Sequence, residues 1–346
     1  MAYTTINKST DYFNTKLYTG NGGTQHSITG VGFQPDWTWI KSRDDAYNHF
    51  LFDAVRGVGK QIYSNLTNAE ATNMNNLYSF NADGFSLAQS ANDDVTNKNN
   101  SNFASWNWKA NGAGSSNTDG SITSTVSANT TAGFSIVKWT GNATTNQTVG
   151  HGLGAVPKVI ITKNTNNASQ PWKCYFSEVG NDKYLILNTT DTPSTSGFLY
   201  NTTPTNSLFT ISNDTGMNGS GNSIIAYCFA EKTGYSKFGS YVGNGNVNGT
   251  FVYTGFKPAF VMLKETSNAD NWLIMDNKRL GYNPRNELLF PNLNNAEQAH
   301  DRVDLVSNGF KMNNDDGSIN TSGATYIYMA FGQSLVGSNN VPCTAR

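Results

Sequence analysis

Pro35-Asp-Trp37-Thr-Trp39-Ile-Lys41 decides how this chain is built, because the same word is written three times. Its form is a proline, two apolar residues at alternate positions and a lysine. The other copies are Pro157-Lys-Val159-Ile-Ile161-Thr-Lys163 and Pro258-Ala-Phe260-Val-Met262-Leu-Lys264. A Tyr/Trp-x-Gly-Asn turn precedes each copy, as Tyr18-Thr-Gly-Asn21, Trp139-Thr-Gly-Asn142 and Tyr241-Val-Gly-Asn244, beginning 17, 18 and 17 residues before the proline. An aromatic closes each unit at Trp108, Phe229 and Phe331, lying 73, 72 and 73 residues after it. Landmarks that stay in register three times mark an internal array.

Apolar residues at period two, with proline at the start where no ladder donor is needed, read as a β-strand with one face buried. The lysine is expected to end that buried stretch with its head in water. Asn-Gly and Asp-Gly pairs such as Asp83-Gly84, Asn218-Gly219 and Asn308-Gly309 close tight hairpins between further apolar runs. The expected fold is all-β: three tandem related antiparallel β-sandwich, jelly-roll-like domains over residues 1–115, 116–235 and 236–346. Units of roughly 100 to 120 residues suit separately cored domains. The Gly/Ser/Thr-rich stretch 111–132 reads as a linker before the divergent second repeat. Short helical turns are expected around Asn68–Ala71 and Asn295–Gln298.

Charged residues make up 14% of the chain, against about 25% in average proteins. Aromatics at 12% argue for packed cores all the same. A net charge of −1 gives no general attraction to nucleic acid or anionic lipid. No apolar run is long enough to span a membrane, and the N-terminal residues lack the basic and apolar regions of a signal peptide. The expectation is synthesis in a cytoplasm, with no membrane insertion and no nucleic-acid partner. Cys174, Cys228 and Cys343 form no disulfide framework or thiolate metal site by spacing; Cys228 reads as a buried hydrophobe and Cys343 as an exposed tail residue.

The histidines, His26, His49, His151 and His300, are scattered and show no zinc spacing. No Gly-x-Ser-x-Gly elbow exists to start a serine triad. The doublets Asp93-Asp94 and Asp315-Asp316 read as solvated rather than as calcium ligands, and no carboxylate pair sits in a recognisable glycosidase motif. No catalytic residue, metal site or cofactor is expected. Asp53/Arg56 and Asp276/Arg279 recur 18 and 21 residues after their prolines, where the middle unit has Tyr175. A local ion pair pinning a turn is the favoured reading, with ligand or subunit contact through the arginine as the alternative. Trp37 and Trp39 share one strand face, as do Trp106 and Trp108. Because Val159/Ile161 and Phe260/Met262 replace the first pair, that face is read as core, against stacking on a sugar or a neighbouring subunit. On the alternative readings, Trp37, Trp39, Arg56, Trp106, Trp108 and Arg279 are the candidate binding residues.

Five stretches carry a resemblance: Gly32 to Arg43, Ser105 to Gly112, Tyr253 to Phe260, Asp276 to Pro284 and Val341 to Arg346. Together they resemble a family of repeat-containing virion structural or tail-fibre-like proteins of tailed bacteriophages, especially marine ones. The resemblance covers almost the whole chain and implies a virion location. The leading expectation is a tail fibre or comparable appendage, with other virion proteins and further copies of the chain as partners and contact with host-surface glycan. A capsid decoration or head-fibre protein is the alternative, and a glycan depolymerase the enzyme alternative. No family catalytic residues carry over.

Overall fold

The computed structural model describes residues 3–88, 95–199, 201–279, 283 and 286–336. Unit 1 contains β1 (Phe13–Thr19), β2 (His26–Thr29), β3 (Trp37–Ser42), β4 (Phe50–Asp53), β5 (Lys60–Tyr63), β6 (Ala71–Thr72), β7 (Leu77–Asn81), β8 (Gly84–Leu87) and β9 (Asn102–Trp108). Unit 2 contains β10 (Ser115–Asn117), β11 (Ser124–Asn129), β12 (Phe134–Thr140), β13 (Gln147–Gly150), β14 (Val159–Asn164), β15 (Lys173–Phe176), β16 (Lys183–Ile186), β17 (Ser194–Thr195), β18 (Leu208–Ile211) and β19 (Ser223–Phe229). Unit 3 contains β20 (Ser236–Val242), β21 (Phe251–Tyr253), β22 (Lys257–Glu265), β23 (Leu273–Asp276), β24 (Asn286–Leu288), β25 (Gln298–His300), β26 (Val303–Val306), β27 (Gly309–Met312) and β28 (Thr325–Gln333).

Each unit pairs a large inner sheet with a small outer one. The inner orders are β1-β9-β3-β4-β5-β6, β12-β19-β14-β15-β16-β17 and β20-β28-β22-β23, so the first strand always lies beside the last and the last beside the proline-led strand. The outer sheets are β2-β8-β7, β13-β18 and β21-β27-β26. The fold is all-β, three related two-sheet units with antiparallel ladders. Two local expectations need correction. The stretch 111–132 is not a linker, because β10 and β11 lie within it and extend the unit 2 inner sheet beyond β12. No helix forms at 68–71 or 295–298, where the chain is irregular and then enters β6 and β25. Among the described residues the short helices are instead a 3-10 turn at Ser9–Asp11 and the α-helical turns α1 (Thr215–Asn218) and α2 (Gly317–Asn320), the last two capped by Asp214 and Asp316.

The units are not separately closed. One face of every inner sheet packs into a single shared core that joins Trp37, Trp39, Trp106 and Trp108 to Ile161, Tyr227 and Phe229 of unit 2 and to Phe260, Met262 and Phe331 of unit 3. The other face packs under the unit's own outer sheet, around Ile40, Phe52 and Phe85 in unit 1, Ile160, Phe209 and Cys228 in unit 2, and Leu263, Phe310 and Tyr328 in unit 3. This is why β3 and β14 are buried at all six positions rather than on one face.

The three unit-closing aromatics meet one another. Ring centroids lie 6.5 Å apart for Trp108–Phe229, 5.8 Å for Phe229–Phe331 and 5.8 Å for Trp108–Phe331. The contacts run cyclically, giving the chain a pseudo-threefold centre. The Tyr/Trp-x-Gly-Asn turns close each unit at the far end. Tyr18 Oη donates to the Thr96 carbonyl, Trp139 Nε1 to that of Met217 and Tyr241 Oη to that of Ile319. The asparagines pair in turn, Asn97 Nδ2 to Asn21 Oδ1 at 3.0 Å, Asn218 to Asn142 at 3.0 Å and Asn320 to Asn244 at 2.9 Å. A Cβ on the intervening Gly20, Gly141 or Gly243 would collide with a main-chain carbonyl, which fixes glycine there. The N-terminal residues fasten unit 1 to unit 3, Tyr3 Oη donating to the Gly255 carbonyl and Ser9 N to Gln333 Oε1.

A shared core predicts a single cooperative unfolding transition. Phe331→Ala should cost about 3–5 kcal/mol and shift the denaturant midpoint of the whole chain. Trp108→Phe should cost less than about 1.5 kcal/mol, because phenylalanine serves at the equivalent positions and the Trp108 indole N–H has no hydrogen-bond partner among the described residues. Tryptophan fluorescence in urea tests both; separate transitions for the units would contradict the arrangement.

Candidate functional site

All six residues singled out from sequence lie inside. Trp37, Trp39, Trp106, Trp108 and Arg279 are at most 2% exposed and Arg56 is 8% exposed. The tryptophans are core residues, as the comparison of the copies led one to expect, and the alternative of stacking on a sugar would fall on rings at most 2% exposed. The arginines sit at junctions between units.

Asp53 ends β4, and the turn after it returns Arg56 Nε to Asp53 Oδ2 at 2.5 Å. Arg56 Nη1 also reaches Glu70 at 3.2 Å. Unit 3 repeats the device: Arg279 Nε bonds Asp276 Oδ2 at 2.6 Å and Arg279 Nη1 reaches Glu297 at 3.0 Å. The local ion pair is what the geometry contains, and each cluster also receives a neighbouring unit. Tyr227 Oη of unit 2 donates to Asp53 at 2.8 Å, and Trp106 Nε1 of unit 1 donates to Asp276 at 3.0 Å. Arg43 of unit 1 grips both Glu297 oxygens, and Arg279 lies 5.4 Å from the Trp106 ring centre. Burial pushes the Asp276 carboxyl up, but the Arg279 guanidinium outweighs it and holds the group below its ordinary value.

The middle unit differs by one residue more than the sequence suggested. Trp37 pairs with Asp53 and Phe260 with Asp276, but Val159 pairs with Phe176, not Tyr175, because the β14–β15 hairpin is one residue longer. Phe176 therefore holds the aspartate position. Its counterpart across the junction, matching Trp106 and Tyr227, is Met329, and both lie in the shared core. Where the donor is lost, the acceptor is lost as well. The matched change avoids an unpaired buried carboxylate.

The three motif lysines correct another expectation. Lys41, Lys163 and Lys264 are fully buried, and each Nζ donates to the carbonyl of the following residue at 2.6 Å. Sandwiched between two cores, these side chains cannot reach water. Burial pulls Lys41 down to about 7 despite Asp45 and Glu297, and pulls Lys163 and Lys264 down to about 8.

A surface site escaped the sequence reading. An open groove of about 450 Å³ lies where unit 2 meets unit 3, along β20 and β21. Phe251 and Tyr253 stand 47% and 54% exposed beside it. In the other copies the equivalent positions hold Ser27/Thr29 and Thr148/Gly150, so the fold does not need aromatics there. Tyr328 lies over Gly239 and is 3% exposed. A Cβ at Gly239 would come 2.8 Å from the Tyr328 hydroxyl oxygen. Glu178 of unit 2 accepts from Ser240 Oγ at 3.3 Å, and Glu231 accepts from the Phe238 N–H at 2.8 Å. Lys237 sits 5.4 Å from the Tyr253 ring centre. Comparing the copies position by position is the signal that exposes this site.

Of the acidic doublets, Asp93-Asp94 lies outside the described residues, as does Cys343. Asp316 caps α2 and pairs with Arg302 at 3.0 Å. Among the described residues no group of acidic, histidine and cysteine side chains could hold a metal ion, and no helix is long and apolar enough to cross a membrane.

These features define a three-unit all-β body, sealed around an aromatic centre, with an external groove at one unit junction. Residues 8–334 match a family described as "Domain of unknown function (DUF7483)", and the chain belongs to that family. The match takes in all three units together. No curated protein matches the chain.

The buried lysines give stability a pH signature. A lysine whose folded pKa is depressed favours unfolding below that value, so stability should rise from about pH 7 toward pH 10. Above about pH 10 it should fall, because burial raises the Tyr227 and Tyr241 hydroxyls. Urea midpoints across pH 6.5 to 11 at about constant salt check this, and Lys163→Met should flatten the rise. Trp106→Phe should cost about 1–3 kcal/mol by removing a donor from buried Asp276.

Proposed function

We propose that this chain is a structural protein of the exterior of a tailed bacteriophage particle, carried as a compact module on a tail fibre or comparable appendage. The observation that supports this best is the closed three-unit body. The inner faces, which in a symmetric oligomer would meet across subunits, are consumed within one chain. What remains for contact is the outer surface, so the module attaches through that surface to other virion proteins. The resemblance to repeat-containing virion proteins fits such a role, as do buried polar clusters that join units instead of converging on a cleft.

Two other readings draw on specific observations. Adhesion to host-surface glycan has exposed rings in Phe251 and Tyr253. Depolymerase activity would need Glu178 and Glu231, which line the same groove, to act across a sugar chain. Loss of polysaccharide viscosity with purified protein would support the enzyme reading and overturn the structural one.

Immunogold labelling of intact particles tests the assignment. Gold is expected on tails or their appendages. Gold confined to capsid facets would move the module to shell decoration, and particles without label would remove the virion assignment.

A further inference from the structure

Every unit has a groove between the first strand of its inner sheet and the first strand of its outer sheet, and unit 2 fills its own. There β11 pairs antiparallel with β12, from Ser124 opposite Trp139 to Asn129 opposite Phe134. Just before it, Ile122 bridges Val149 of β13, the Ser121 N–H donates to Thr148 Oγ1, and Ser124 Oγ donates to the Gly150 carbonyl. An extended polypeptide thus occupies a space that, among the described residues, the other units leave open. In unit 3 the open counterpart is the β20–β21 groove. In unit 1 it is a smaller recess of about 290 Å³ beside β1. The neighbouring unit contributes the same position to both, Glu178 in one and Lys278 in the other, two residues beyond Phe176 and Asp276.

The unit 3 edge is suited to an added strand. Among the described residues β20 pairs with β28 on one side only. Alternate residues of such a strand turn both main-chain groups outward, and here these are Phe238 and Ser240. The counterpart of Phe238 is Ile136, which faces Ser127 of β11. In unit 3 the Phe238 N–H is taken by the Glu231 carboxylate, a side-chain substitute for a strand carbonyl. Tyr328 and the exposed rings of β21 line the same channel.

We propose that the β20–β21 groove docks an extended segment of another protein, added antiparallel to β20 as β11 is added to β12. The partner is a different protein, because the strand of this shape that a second copy could offer, β11, is already paired on both edges, with β10 and with β12. Its strand alternates small hydroxylated residues with short aliphatic ones, as Ser124-Thr-Val-Ser-Ala-Asn129 does. A flanking lysine or arginine pairs with Glu231 once that carboxylate yields the Phe238 N–H. The inference concerns the chain itself and stands whether or not the chain resides on a virion.

The probe is a synthetic peptide of residues 119–130, titrated into the full-length protein, with binding followed by calorimetry and hydrogen exchange. Binding should protect the Ser240 amide. N-methylation at Ser127, whose main chain faces the edge, should weaken binding about tenfold or more, whereas N-methylation at Val126, which faces away, should leave it unchanged. The double variant Phe251→Ser with Tyr253→Thr adopts the unit 1 residues, so it should fold normally and bind more weakly. Several results would overturn the proposal. These are no protection of Ser240, equal loss from both N-methyl peptides, self-association that protects β20, or a glycan bound on Phe251 and Tyr253 with Ser240 still exchanging freely.

Discussion

Three aromatic rings, Trp108, Phe229 and Phe331, touch in a triangle, and the remaining architecture follows from keeping them together. A ring at the end of each long strand can be desolvated only if the other two strands arrive at the same place. That requirement turns three sequence repeats into one body. Each inner sheet must then bury both faces, one toward the centre and one under its outer sheet, which explains why charged side chains such as Lys41 and Arg279 end up without solvent. Dispersion among close rings, with their tilted and edge-on geometries, supplies the packing that such a centre needs.

The junctions show two physical solutions to one problem. Between units 1 and 2 and between units 3 and 1, a carboxylate is buried, neutralised by an arginine three residues on, and offered to a neighbour's O–H or N–H. Between units 2 and 3 both sides are apolar, with Phe176 and Met329. Buried ion pairs and hydrophobic packing can be of similar net value, so the mixture is tolerable. What neither solution permits is half of the other, and the chain changes both partners at once.

Much of this was legible in the sequence, and the misses have specific causes. The repeated proline, the Tyr/Trp-x-Gly-Asn turns and the closing aromatics carried the fold class and the three-unit plan. The lysines were misplaced because period-two alternation cannot tell a half-buried strand from one enclosed between two cores. The weak alternation of Ser124-Thr-Val-Ser-Ala-Asn129 hid a strand inside a stretch whose glycines and serines look like a linker. Tyr175 stood in for Phe176 because only ladder register reveals one extra hairpin residue. The external groove was invisible for a different reason: Glu178, Glu231, Phe251 and Tyr328 come from two strands and two loops, and none belongs to a motif.

The N-terminal clasp gives the seams different standing. Units 1 and 2, and units 2 and 3, are tied by short peptide connections that keep each pair at high effective concentration. Units 3 and 1 have no such direct tie and rely on side chains, with Arg43 gripping Glu297, Trp106 on Asp276, Ser64 on the Pro291 carbonyl, and the contacts of Tyr3 and Ser9 with unit 3. The seam lacking a covalent hinge is also the richest in directional polar bonds. Under tension between its ends that seam bears the load through side chains alone, and parting it would open the common core of all three units to water.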